Sequence, residues 1–213
     1  MTGTPKALRL HVGIFGRTNT GKSSFLNLVT GQDSAIVSPV AGTTPDVVRK
    51  SMELRPLGPV TFLDTAGIDD GSSLGELRVE RTREALASAD IAILLLEADV
   101  WSEYEERLAS AAAAQKTPLV LVVNKTDVRT PSNEWLDGLK RVSNRILSCS
   151  CERAAASNAE REACMTALKR LLLAACPDDF LEPPAILGDL LPSGTGVPLA
   201  VLIVPIAVSY THL

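Results

Sequence analysis

The chain has no excess of positive charge: 21 Lys and Arg stand against 25 Asp and Glu, a net charge of −4. No broad electropositive field surrounds such a molecule, so bulk electrostatics give no support to nucleic-acid binding. It also lacks any apolar run able to cross a bilayer. The longest, around Ile91–Leu96, Leu119–Val123 and Leu199–Val208, fall short of the ~20 residues a spanning helix needs. The N-terminal MTGTPKALRL has no apolar core of the kind a secretory signal carries. The four cysteines, at positions 149, 151, 164 and 176, show neither CxxC nor Cys/His metal spacing. Internal repeats and low-complexity tracts are missing as well, apart from short alanine runs. These absences lead us to expect a cytoplasmic protein with reduced thiols and with neither membrane nor nucleic acid as partner, in which Cys149 and Cys151 serve as small core residues.

What is present alternates. Apolar, β-rich runs at 8–15, 47–54, 60–64, 91–96, 119–124 and 145–149 are separated by helical stretches at 22–30, 76–87, 102–115, 132–140 and 158–175. IAILLL and PLVLVVN are apolar at every position, as expected of strands covered by helices on both faces. The spacing predicts an α/β fold with a mostly parallel sheet and helices on both faces. The short turn RPLG, Arg55–Gly58, predicts one antiparallel edge pair. One domain is expected over residues 1–176 and a Pro-, Gly- and Asp-rich linker over 177–198. The strand-like segment 199–213 then reads as the start of a truncated second domain or as an extra edge strand of the first.

Four motifs point to one ligand. Gly16-x-x-x-x-Gly21-Lys22-Ser23 lies between a strand and a helix, the context a phosphate-binding loop requires. Glycine lets backbone N–H groups turn inward, and the helix N-terminus adds partial positive charge. Asn19, Thr20, Gly21 and Ser24 join the nucleotide contacts, Lys22 reaches the β- and γ-phosphates, and Ser23 ligates Mg²⁺. Asp64-Thr65-Ala66-Gly67 follows the strand VTFLD: Asp64 serves Mg²⁺, and Gly67 lets a backbone N–H approach the γ-phosphate. Asn124-Lys125-Thr126-Asp127 reads the base. A carboxylate at Asp127 accepts two hydrogen bonds from guanine N1–H and N2–H₂, a donor pair that adenine lacks. Ala41-Gly42-Thr43-Thr44 supplies a hydroxyl, from Thr44, that completes Mg²⁺ coordination when the γ-phosphate is present. A further loop touching guanine O6 falls at Ser150-Cys151, or in the alternative register at Ser148-Cys149. The ligands expected are GTP, GDP and Mg²⁺, with Lys22, Thr44 and Gly67 closest to the reacting phosphate.

The stretches GRTNTGKSS, AGTTPD, DTAG and NKTD resemble the TrmE–Era–EngA branch of P-loop GTPases. GQDSAIVSPVAGTTPDVV, LGPVTFLDTAGIDD, LGELRVERTREAL and GDLLPSGTGVPLAVLIVPI are more specifically similar to HydF, the GTPase family of [FeFe]-hydrogenase maturation. The likeness covers roughly residues 8–207 and weakens over 129–180. It implies a GTP-hydrolysing nucleotide switch acting in H-cluster assembly or delivery. Hydrogenase and other maturation proteins are the partners implied, together with a homodimer of the full-length protein. A TrmE- or Era-type role in tRNA modification or ribosome assembly is the alternative. The cysteines do not match that family's iron–sulfur ligand pattern, so no cluster is expected in this chain, and the ending VSYTHL departs from the family as an appended tail. Ras-like enzymes place a water-orienting Gln after the DxxG glycine; here Ile68 occupies that position, which implies slow intrinsic turnover. In cation-activated relatives a P-loop asparagine ligates K⁺, and Asn19 matches it, with Thr43 in the loop that completes the cage. Asp69, Asp70 and Glu76 are candidate water-orienting acids. Arg78, Arg81 and Arg83 alternate with Glu80 and Glu84 as a surface ion-pair face.

Overall fold

The computed structural model describes residues 9–31, 48–65, 82–177 and 180. Among the described residues six strands run in chain order: β1 (Leu10–Phe15), β2 (Val48–Leu54), β3 (Gly58–Asp64), β4 (Ile91–Glu97), β5 (Leu119–Asn124) and β6 (Ile146–Ser148). The helices are α1 (Lys22–Thr30), α2 (Glu103–Gln115), α3 (Asn133–Leu139), α4 (Cys151–Ala156) and α5 (Asn158–Ala175), with a further helical stretch at 82–87. The strands form one sheet in the order β2-β3-β1-β4-β5-β6. All neighbours pair parallel except β2 and β3, which are antiparallel across the expected turn. The predicted fold class is therefore observed.

Why the strand runs are apolar throughout is visible in β4. Ile91, Ile93 and Leu95 face a core shared with Phe25, Leu26 and Val29 of α1 and Leu168 and Leu172 of α5. Ala92, Leu94 and Leu96 face the other layer, with Leu86, Leu108 and Ala112. Successive side chains point to opposite faces, so a strand with helices on both sides needs apolar residues at every position.

The expected elements shift at their ends. Ser102 and Ser132 lie outside their helices as N-caps, whereas α5 spans Asn158–Ala175 as expected, with Ser157 as its N-cap. β6 is only three residues long, and α4 was not anticipated. The Ser150 hydroxyl accepts the Arg153 N–H at 3.1 Å and starts α4. Ser157 ends α4 and caps α5, accepting the Glu160 N–H at 3.4 Å. One serine thus divides what reads as a loop and a helix into two helices. The linker and second-domain segments at 181–213 lie outside the described residues, as does the 76–81 part of the expected second helix.

β1 has β3 on one side and β4 on the other: the connection leaving β1 leads to the β2–β3 side of the sheet, and the one leaving β3 leads back past β1 to β4. A parallel sheet opens a crevice at the C-terminal ends of its strands at such a point. The ends of β1, β3, β4 and β5 there carry Gly16, Asp64, Glu97 and Asn124.

Candidate functional site

The loop from Gly16 to Gly21 leaves β1 and enters α1 through left-handed backbone. Gly21, the α1 N-cap, has φ +93°, and Asn19 has φ +67°. A Cβ at Gly21 would stand 2.3 Å from the Asn124 Nδ2, so both space and backbone conformation require glycine there. The Lys22 ammonium folds back over the loop, donating to the Gly16 carbonyl at 2.6 Å and the Arg17 carbonyl at 2.9 Å. Thr20 is buried, its hydroxyl donating to the Arg17 carbonyl at 2.8 Å. Ser23 and Ser24 are exposed in the first turn of α1.

Asn124 ties two loops together. Its Nδ2 donates to the Thr20 carbonyl at 3.0 Å, and its Oδ1 accepts the Cys151 N–H at 3.0 Å. The side chain is 2% exposed, so neither bond competes much with water. Register places Glu97 beside Asn124 across β4 and β5, and the Glu97 carboxylate accepts from the Lys125 Nζ at 2.6 Å. Lys125 itself has φ +58°. Beyond it, the Asp99 carboxylate accepts the Ser132 N–H at 2.9 Å and the Ser132 hydroxyl at 2.7 Å, and pairs with Arg129 at 3.0 Å. These contacts hold both ends of the 125–132 loop that carries Asp127.

The Ser150 hydroxyl beside Asp127 holds its carboxyl below the usual carboxylate range; the Arg153 and Lys125 charges add to this, against a desolvation that opposes it. Asp127 is therefore an ionised, acceptor-only group at neutral pH. A cavity of about 830 Å³ opens between these loops, with Gly21, Ser24, Asn124, Lys125, Asp127 and Cys151 among its lining residues. Of the two registers considered for the last loop, Ser150-Cys151 stands at the cavity. Cys149 and Cys151 are both buried in the core, Cys149 without reaching the cavity, and the neighbouring thiols Cys151 and Cys164 push the Cys149 thiol far up, keeping it protonated.

Asp64 is 7% exposed at the end of β3, one strand from the phosphate loop. Thr65 beside it anchors the strand end, its hydroxyl donating to the Ile14 carbonyl at 2.6 Å. Thr43, Thr44, Gly67, Ile68, Asp69, Asp70, Glu76, Arg78, Glu80 and Arg81 lie outside the described residues. Sequence reasoning missed Glu97, the partner of Lys125. It also missed Asn27, Glu152 and Arg161, which line the same cavity. No motif flags them: the strand register sets Glu97 in place, and Asn27, Glu152 and Arg161 come from α1, α4 and α5.

A family model described as "50S ribosome-binding GTPase" matches residues 11–125, more than half of the chain. The chain belongs to this GTPase family. Membership implies GTP hydrolysis, with GTP and GDP as ligands and Mg²⁺ as the metal. A tRNA modification GTPase MnmE of Synechococcus sp. (strain JA-3-3Ab) is 45% identical over 121 residues, covering 55% of this chain and 25% of that protein. A GTPase Der of Wolinella succinogenes is 37% identical over 141 residues, covering 64% and 29%. The chain thus spans only about a quarter to a third of the length of these curated relatives. Among solved structures, Aquifex aeolicus Era bound to GDP.AlF4- superposes with a TM-score of 0.60 at 26% identity, covering 79% of this chain and 57% of that one. The G domain of the T. maritima FeoB iron transporter has a TM-score of 0.55 at 19% identity, covering 78% and 98%, which speaks to fold alone. These similarities place the GTPase in the TrmE/Era/Der branch.

Proposed function

We propose that this chain is the GTP-hydrolysing switch domain of an [FeFe]-hydrogenase maturation factor. The observation behind the guanine-nucleotide reading is the Asn124 bridge, which sets the phosphate loop and the Asp127 loop at one cavity. Behind the maturation reading stands the sequence similarity of LGPVTFLDTAGIDD, LGELRVERTREAL and GDLLPSGTGVPLAVLIVPI to that family.

In this reading the triphosphate lies along Gly16–Ser24, and guanine faces Asp127, braced by Asn124, Lys125 and the Ser150-Cys151 loop. Water attacks the γ-phosphorus in line. Its oxygen forms the new P–O bond while the bond to the β-bridging oxygen breaks, and the water's proton ends on the released phosphate. Lys22, the Gly67 N–H and the loop N–H groups stabilise the negative charge gathering on the γ- and β-oxygens. Ser23 and Asp64 offer hard oxygen donors of the kind Mg²⁺ takes, with Thr44 as the third ligand. The bound ion would neutralise part of that same charge. The Asn19 carboxamide oxygen, held on a left-handed backbone at the loop's exposed crest, suits a K⁺ ion. With Ile68 in place of a water-orienting glutamine, intrinsic turnover is slow and K⁺ raises it. GTP turnover is therefore expected to be faster in K⁺ than in Na⁺, and Asn19→Ala to abolish the difference; equal rates for the native chain in both salts would remove K⁺ from the account.

A second reading, tRNA modification, is favoured by the name of the 45%-identical relative, tRNA modification GTPase MnmE. The net charge of −4 gives it no electrostatic help. Co-purification from cells expressing the full-length protein separates the two: hydrogenase or its maturation proteins support the first, and tRNA would overturn it in favour of the second.

A further inference from the structure

We infer that Tyr104 and Glu105, at the start of α2, are positioning residues for the Lys22 ammonium, an inference that rests on the nucleotide-site reading above. Lys22 donates to two carbonyls, those of Gly16 and Arg17. The same two residues are gripped from outside the loop by α2. The Gly16 N–H donates to the Tyr104 hydroxyl oxygen at 3.3 Å. The Arg17 guanidinium pairs through its Nε with Glu105 Oε1 at 3.0 Å. Tyr104 and Glu105 hold Gly16 and Arg17, and these in turn fix where the Lys22 Nζ sits.

Glu105 is built to be held in place. It is 1% exposed, and its other oxygen, Oε2, accepts the Ser102 N–H at 2.8 Å and the Ser102 hydroxyl at 2.6 Å. The carboxylate thus uses one oxygen to close the helix N-terminus and the other to hold the phosphate loop. A cap alone needs no contact with the loop, and a half-exposed arginine does not need a buried partner for solubility. A buried charge on the helix side does need a cation, and Arg17 meets that need only when the loop has the observed shape. The loop conformation that presents Lys22 is thereby linked to the position of α2. The helix also borders a groove of about 740 Å³ with Thr82 and Arg83 of the 82–87 helical stretch on its far side.

The side chains allow the two roles of Glu105 to be separated. Glu105→Gln keeps an oxygen to accept from Ser102 but removes the charge that Arg17 pairs with. Ser102→Ala removes a capping donor and leaves the pair intact. The experiment measures, on the full chain, dissociation of fluorescent GDP, single-turnover GTP hydrolysis at saturating nucleotide, and melting temperature. Glu105→Gln is expected to speed GDP release about three- to tenfold and to slow single turnover by a similar factor. Ser102→Ala, which keeps the Glu105 charge and the Ser102 N–H bond to it, should lower the melting temperature and change both rates clearly less than Glu105→Gln does. In an Arg17→Ala background Glu105→Gln should add nothing further, because the linking pair is already gone. Should Glu105→Gln fail to fold, Tyr104→Phe, which deletes one oxygen, carries the same expectation for release and turnover. Unchanged rates in Glu105→Gln, or an undiminished effect in the Arg17→Ala background, would overturn the inference. Failure of the native chain to bind fluorescent GDP at all would instead remove the nucleotide-site reading on which it stands.

Discussion

The two halves of the site are held in place by different means. The phosphate half is shaped mainly from within, by left-handed backbone at Asn19 and Gly21 and by Lys22 folding onto its own loop, with α2 gripping only Gly16 and Arg17 from outside. The base half is shaped from a distance. Glu97, Asp99 and Ser150 each come from another part of the chain to fix Lys125, Ser132 or Asp127. Asn124 belongs to both, with one bond to each side. A loop shaped by its own backbone tolerates little change at single positions. A loop shaped by several partners loses its geometry in smaller steps.

That contrast can be broken most severely at Gly21. Gly21→Ala places a methyl 2.3 Å from the Asn124 Nδ2 on a backbone with φ +93°, and steric clash and strain act together. GTP turnover is expected to fall more than about a hundredfold, a loss of roughly 3 kcal/mol or more in transition-state stabilisation, as read by phosphate release at saturating GTP. Asn124→Ala should come next. It removes two buried hydrogen bonds at once and leaves the Thr20 carbonyl and the Cys151 N–H without that partner, a cost of about 2–4 kcal/mol. Both a lower melting temperature and GDP affinity weaker by about ten- to a hundredfold are expected, measured by thermal denaturation and by fluorescent-nucleotide titration. An affinity loss confined to the phosphate or to the base contacts would show that Asn124 is not the bridge.

The smallest effect lies on the base side. Ser150→Ala removes the main cause of the lowered Asp127 pKa, so that pKa should rise toward its ordinary value of 3.8. A carboxyl depressed on folding contributes stability above its unfolded pKa and loses it as pH falls through the folded value. The native chain should therefore lose this contribution only below about pH 3.8, and Ser150→Ala should narrow or remove that window. Carboxyl NMR titration of Asp127 in the two proteins reads the shift directly, with GDP affinity at neutral pH changing only a few-fold.

The difference between the halves also explains what the sequence reveals. The phosphate loop is legible because its physics is local: two glycines, a lysine and a serine do their work within eight positions. The strands are legible for a similar reason, since IAILLL and PLVLVVN can be covered on both faces only in such a sheet. Asn124, Lys125 and Asp127 are legible as a short motif, but their supports are not. Glu97 reads as an ordinary polar residue after a strand until the β4–β5 register sets it beside Asn124. Tyr104 and Glu105 read as the first turn of a surface helix until the sheet brings α2 against the phosphate loop. α4 is hidden because its six residues are too few to show a helical period. Ser150 and Ser157, three positions before Arg153 and Glu160, were the available signal for its ends.

The central claim is that one bridged cavity selects a guanine nucleotide by its base while holding it by its phosphates. Displacement of fluorescent GDP from the native chain in Mg²⁺, by GDP and by ADP in parallel, tests it most directly. The account predicts displacement by GDP at a concentration at least about a hundredfold below that needed for ADP, because adenine leaves the Asp127 carboxylate without its donor pair. Equal displacement by the two nucleotides would contradict it.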